Sequence, residues 1–179
     1  MDKIRSIGLS FLVAVPNRRL HVAPCRPVVE RIRCRKESVI SDSYQLIYSS
    51  RPFGYDQATL DGILLDARRC NTRDQITGAL VCRQDVYVQM LEGNREKVSA
   101  SYDRIRRDDR HLEVKLRFFG DASERLFGKW AMLHDPAKSW LWSRAEISGG
   151  ILDRAGVSDF KRLFQVLANN VNSDGSPSY

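Results

Sequence analysis

The chain has few residues of the kinds that build metal centres or disulfide frameworks. Four cysteines, Cys25, Cys34, Cys70 and Cys82, and three histidines, His21, His111 and His134, are scattered over 179 residues. No CxxC occurs and no cysteine stands at a metal-ligand spacing from a histidine, so no metal is expected and a reduced, cytoplasmic protein is the simplest account. Long apolar runs are missing too. Ile7 to Val15 is interrupted by Ser10 and is far too short to span a bilayer, although Lys3 and Arg5 before it give the segment some likeness to a signal peptide. Acidic residues are in deficit, at 22 Asp+Glu against 29 Lys+Arg, yet the imbalance is local. Residues 1–43 hold nine Lys+Arg against four Asp+Glu, and the remainder holds 20 against 18. The net charge of +7 belongs mostly to this leader, and nucleic-acid binding is not expected of the core.

The patterning divides the chain into three segments: a basic extension over 1–43, a folded domain over 44–135, and a helical extension with a tail over 136–179. The leader mixes Pro16, Pro24 and Pro27 with the cluster Arg31, Arg33, Arg35 and Lys36, and has no sustained period. It reads as a mobile arm or as translation begun upstream of the true start; a basic arm touching nucleic acid or an acidic lipid surface is the alternative.

From Ser43 the pattern is regular. Tyr44, Leu46 and Tyr48 alternate with Gln45, Ile47 and Ser49 in a strand ended by Arg51-Pro52-Phe53-Gly54. Leu60, Ile63, Leu64 and Ala67 recur at helical spacing from Gln57 to about Cys70, and Asn71 continues the series Ile63, Ala67, Asn71. Asn71 is either a helix C-cap or a polar end to the buried stripe. Two strands then meet at a turn near Arg83-Gln84-Asp85, the second with Val86, Val88 and Met90 on one side and Tyr87, Gln89 and Leu91 on the other. Asn94 can cap a helix reaching about Arg107 with Val98, Tyr102 and Ile105 inward, and Arg104 can pair with Asp108. Leu112, Val114, Leu116 and Phe118 then share one face of a half-solvated strand, and Trp130 and Met132 share a face of a last short one. The order is βαββαββ with both helices on one side of a mostly antiparallel sheet, a ferredoxin-like α+β sandwich. Beyond it, Trp140, Leu141 and Trp142 flank the last strand and Gly149-Gly150 interrupts the chain. Ser158 is expected to cap a helix with Phe160, Leu163, Phe164 and Leu167 on one face, which covers the outer sheet face or else forms a dimer or partner surface, before a loose tail from Val171.

Gln89 is the odd residue in an apolar surface. Its amide carries two donors and two acceptor sites, and leaving them unpaired costs about 1–3 kcal/mol. A structural glutamine bonded to backbone answers this, as does an amide facing a heterocyclic ligand. Tyr48 and Asn71 can point into the same layer, and each also has an ordinary reading, as a core tyrosine and as a cap.

Taken together, Tyr44-Gln-Leu-Ile-Tyr48-Ser-Ser, Asn71 with Gln75-Ile-Thr-Gly78, Tyr87-Val-Gln89-Met-Leu-Glu-Gly93, Arg104-Ile with Arg110-His111, and Trp130-Ala-Met132 resemble the BLUF family of flavin-based blue-light sensors, over about Ser43 to Asp135. The resemblance implies a bacterial photoreceptor with FAD held non-covalently between the two helices. It implies that Tyr48 donates an electron to the photoexcited flavin, that Gln89 bonds both and rearranges, and that Asn71 binds the flavin's carbonyl edge. Ile63, Arg104, Asp108, Arg110 and His111 are implied contacts to the cofactor, with Trp130 and Met132 as the pair that relays the change; Cys70 stands where a polar or imidazole residue is commoner. No cyclase or phosphodiesterase motif lies outside the sensor, so a homo-oligomeric switch acting on a separate protein partner is expected, not an enzyme. The alternative is a flavin-free ferredoxin-like interaction module. An acylphosphatase-like hydrolase would need a phosphate cradle after the first strand, where Arg51 is followed by Pro52 and Phe53.

Overall fold

The computed structural model describes residues 43–174. The readings of the leader, and of the tail after Asp174, lie outside the described residues. The elements are β1 (Ser43–Pro52), α1 (Gln57–Asp74), β2 (Thr77–Arg83), β3 (Val86–Gly93), α2 (Arg95–Ile105), β4 (His111–Ala122) and β5 (Leu133–Asp135), followed by α3 (Arg144–Ser148), α4 (Ile151–Arg154) and α5 (Val157–Asp174). The sheet order is β4-β1-β3-β2-β5, antiparallel except where β5 runs parallel to β2. This is the expected ferredoxin-like α+β arrangement.

Period-2 alternation divides the apolar residues of the sheet between two cores. Leu46, Tyr48, Leu80, Tyr87 and Leu91 pack with Leu60, Ile63 and Leu64 of α1 and Val98 and Tyr102 of α2. Ile47, Ala79, Val81, Val88 and Met90 pack on the other face with Phe160, Leu163, Phe164 and Leu167 of α5. The C-terminal helix therefore covers the outer sheet face. Its first turn differs from the expectation: Ser158 lies inside the helix, and the carboxylate of Asp159 accepts from Gly156 N–H at 2.9 Å. The helix also continues through Val171, where a loose tail was expected, to Asp174.

Four further expectations need correction. Helix α1 runs a turn past Cys70, and the left-handed residue that ends it is Gln75, at φ 58°, so Asn71 is not the cap. Strand β4 does not keep one apolar face. It carries irregularities opposite the Ile47/Tyr48 and Ser49/Arg51 steps of β1, with Glu113 at φ 49°. An extra residue turns the side chains beyond it to the opposite face. Val114 accordingly joins the helix-side core and Phe118 the outer one, while Leu112 and Leu116 are 42% and 49% exposed. Trp130 and Met132 precede β5 and do not share a face: Trp130 packs in the outer core edge-on to Phe127, and Met132 in the helix-side core. Arg104 pairs with Asp74 across the two helices, not with Asp108.

Candidate functional site

The polar side chains of interest stand on three elements that meet between sheet and helices. Tyr48 on β1 and Gln89 on β3 are cross-strand partners in register, which puts their side chains on one face and within reach. The Tyr48 hydroxyl donates to Gln89 Oε1, and Tyr48 is wholly buried. The amide's other end, Nε2, donates to Met132 Sδ at 3.5 Å, a thioether and therefore a weak acceptor. Asn71, 2% exposed, donates from Nδ2 to Ala131 O at 2.8 Å. Arg68 Nε donates to Met132 O at 3.3 Å. Gln89 and Asn71 thus both grip the short segment that precedes β5.

A cavity of about 250 Å³ opens beside these groups between α1 and α2. Ile63, Ala67, Cys70 and Asn71 line it from α1, Ser101, Arg104 and Ile105 from α2, and Gln89 from the sheet, with Asp108, Arg110 and His111 at one end. Tyr48 sits behind Gln89 and does not line it. Most of the residues proposed from sequence are brought together here. Met132 touches the site through Gln89, and Trp130 lies on the opposite face of the sheet.

The electrostatics are set by burial and by paired charges. Burial raises the Tyr48 phenol well above the usual tyrosine range, with the charge of Asp108 and the neighbouring Tyr102 and Tyr87 adding to it. Burial also lowers His111 to about 4, against the pull of Asp108. The ring is held by Ser50 Oγ at 2.9 Å from Nδ1 and meets Tyr48 and Tyr87 edge-on. The cationic rim is held by carboxylates. Arg110 binds Asp108 at 2.7 Å and Asp66 at 3.2 Å, and Arg104 binds Asp74 at 2.8 Å. Asp66, Asp74 and Arg68 are absent from the residues picked out by sequence. Their signal was the polar face of α1, which reads equally as a solvated face.

Among the described residues no cluster of three or more His, Cys, Asp or Glu could hold a metal ion, and no helix is long and apolar enough to cross a membrane. Cys70 and Cys82 are free thiols, Cys82 lying 2.9 Å from His134 Nε2. Arg51 pairs with Glu113 at 3.4 Å at the second irregularity of β4.

Residues 44–133, half of the chain, match the family described as sensors of blue light using FAD. The chain belongs to the BLUF family. It is 35% identical over 74 residues to the beta subunit of the photoactivated adenylate cyclase of Euglena gracilis, a match spanning 41% of this BLUF protein and only 9% of that relative. Among solved structures it resembles BlrB, a BLUF protein in its dark state, at 27% identity and a TM-score of 0.60, over 73% of this chain and 98% of that one. A bacterial light-regulated adenylyl cyclase matches at 27% identity and a TM-score of 0.51, over 69% of this chain and 36% of the cyclase. The BLUF protein thus spans about a tenth of the curated relative and about a third of the cyclase structure.

Proposed function

We propose that this BLUF protein is a blue-light photoreceptor that binds FAD non-covalently between α1 and α2, with Tyr48 and Gln89 carrying the photochemistry. The observation that carries the reading is the buried hydrogen bond from Tyr48 to Gln89, set at the wall of a cavity between two helices.

The donor set fits a flavin. Among the described residues Gln89 Nε2 donates only to a thioether, and a ring carbonyl would be a better acceptor. No partner of Asn71 Oδ1 stands among the described residues, which leaves that oxygen to accept from a ring N–H while Nδ2 holds Ala131 O. Ile63, Ala67 and Ile105 supply apolar walls for a flat ring, and Arg69, Arg104 and Arg110 supply guanidinium donors at the rim that can turn to a phosphate from the carboxylates they now pair with.

Bound flavin would supply the absorption of blue light and take up one electron and one proton. Tyr48 supplies the electron. Its phenol is too weakly acidic to be ionised beforehand, so loss of the electron is coupled to passage of the hydroxyl proton along the bond it already makes to Gln89 Oε1. The amide then exchanges its donor and acceptor ends, by rotation or tautomerisation, and Tyr48 recovers its electron and proton. The lit state differs from the dark one only in this hydrogen bonding, which Met132, the amide's present partner, feels. Nothing is turned over, so the chain acts as a switch rather than an enzyme and passes its signal to a separate protein partner. In this reading 44–135 is the flavin domain and 136–179 an extension whose helix α5 covers the outer face of the sheet.

The test is an absorption spectrum of the purified protein in the dark, directly after blue light, and after dark recovery. An oxidised-flavin band that moves slightly to the red and relaxes is expected. A protein that stays colourless when supplied with FAD would overturn the reading in favour of a flavin-free interaction module.

A further inference from the structure

Glu92, on β3 three residues past Gln89, is fully buried, yet all its partners are neutral. It stands in a cross-strand row between Gln45 of β1 and Thr77 of β2. Oε1 accepts from Gln45 Nε2 at 2.9 Å and from the main-chain N–H of Leu126 at 2.8 Å. Oε2 accepts from the N–H of Phe127 at 2.9 Å and from Thr77 Oγ1 at 3.4 Å. A carboxyl group taken wholly out of water needs hydrogen bonds to replace its hydration, and here main-chain donors of a loop supply two of them. The side chain therefore ties that loop to the sheet through both of its oxygens.

The chain beyond this loop gives the anchor a use. Phe127 O accepts from Trp130 N–H at 2.9 Å, and Trp130 O accepts from Gly78 N–H at 3.1 Å. One residue further, Ala131 O receives Asn71, and Met132 then receives Gln89 and Arg68. The segment 126–132 begins on the outer face, where Phe127 meets Phe164 of α5, and ends in the helix-side core at Met132.

We propose that Glu92 is a positioning residue for the two cavity amides: by clamping the N–H groups of Leu126 and Phe127 it sets where Ala131 O and Met132 Sδ stand, and so how the Asn71 and Gln89 side chains are held. The proposal rests on the flavin reading for what the two amides do, not for how they are oriented.

The test is side-chain amide NMR of the full chain, with Glu92→Gln as the main variant. An isosteric amide keeps one acceptor oxygen and turns an NH2 toward a loop N–H, which releases one of the two clamped groups. The side-chain NH2 signals of Asn71 and Gln89, across the sheet from the substitution, are expected to shift or broaden. That of Gln57, bonded to Asp61 at the start of α1, should stay where it is. Gln45→Leu removes a donor to Glu92 without touching the loop and should leave the Asn71 and Gln89 signals in place. Glu92→Asp keeps the carboxyl group but draws it back by one methylene, and serves if the glutamine variant does not fold; it should move the same two signals. Unmoved Asn71 and Gln89 signals in a folded Glu92 variant would overturn the proposal, as would equal movement in Gln45→Leu. Failure of the flavin reading would appear separately, as a wild-type protein with the same NMR signals and no light-induced change in absorption.

Discussion

The side chain of Gln89 joins a hydroxyl that donates to it and a thioether that accepts poorly. This asymmetry makes two substitutions informative. Tyr48→Phe removes the hydroxyl and leaves the ring in its pocket, so the fold and flavin binding should persist. The light-induced shift of the flavin band should be lost, because phenylalanine is a far poorer electron donor; a normal photocycle in this variant would remove Tyr48 from the donor role. Gln89→Leu fills nearly the same space without an amide. It should bind flavin and yield no red-shifted product, since no group remains to exchange donor and acceptor ends. It also leaves the Tyr48 hydroxyl buried without a partner, at a cost of about 1–3 kcal/mol, which urea unfolding would register. A red-shifted product in Gln89→Leu would show that the amide is not part of the switch.

The two sides of the sheet are covered by different helices, α1 and α2 on one and the C-terminal helix α5 on the other. Phe164 is fully buried and edge-on to Phe127 at 6.1 Å, in the loop that Glu92 clamps. Phe164→Ala should lower stability by about 3–5 kcal/mol, the range for emptying an aromatic site in a core. Because α5 and the sheet share one core, urea unfolding monitored by tryptophan fluorescence and by circular dichroism should give one coincident transition at a lower midpoint. Separate transitions would mean that 136–179 folds independently of the sheet. Much of this arrangement was legible in the sequence. Alternation along β1 and β3 assigned both faces correctly, and the stripe from Phe160 to Leu167 identified the cover. What escaped were features that depend on a partner strand or on one backbone angle. The irregularities of β4 arise from register with β1 and leave no mark in the pattern Leu112, Val114, Leu116, Phe118. The end of α1 is set by Gln75 in a left-handed conformation, where asparagine is the commoner signal, so Asn71 drew the assignment one turn early. Trp130 and Met132 are two apart, which implies one face only in a strand, and the chain there is not yet a strand. Of the candidate residues, Tyr48, Gln89 and Asn71 stood out in the sequence as polar groups in an apolar pattern, and all three are buried. Asp66 and Asp74 were missed because a carboxylate on a helix surface looks the same whether or not an arginine reaches it.

For the molecule as a whole, the buried imidazole of His111 sets an acid limit. The residue is 7% exposed, between Ser50, Tyr48 and Tyr87, with Asp108 and Arg110 as its charged neighbours. Burial lowers its folded value from 6.5 to about 4. The unfolded chain therefore takes up a proton near 6.5 that the folded chain refuses until about 4, and across that window the unfolded state holds more protons. Stability is at its full value above 6.5, falls as pH falls toward 4, and loses nothing more from this group below that. The loss amounts to at most about 3 kcal/mol. Asp74, brought down to about 2 by the hydrogen bond from Arg73 and by Arg104, acts in the same direction at lower pH, its contribution disappearing between 3.8 and about 2. The two windows barely overlap, so they can be separated by substitution. In urea unfolding at a series of pH values the wild type should show both declines. His111→Gln, which has nothing to titrate at that position, should lose the larger part of the first, leaving what His134 contributes through its own burial, and keep the second. A wild type that declines no more than His111→Gln between 6.5 and 4 would mean that the ring takes up its proton in the folded state as readily as in the unfolded one, and that the wall beside Tyr48 is open to water.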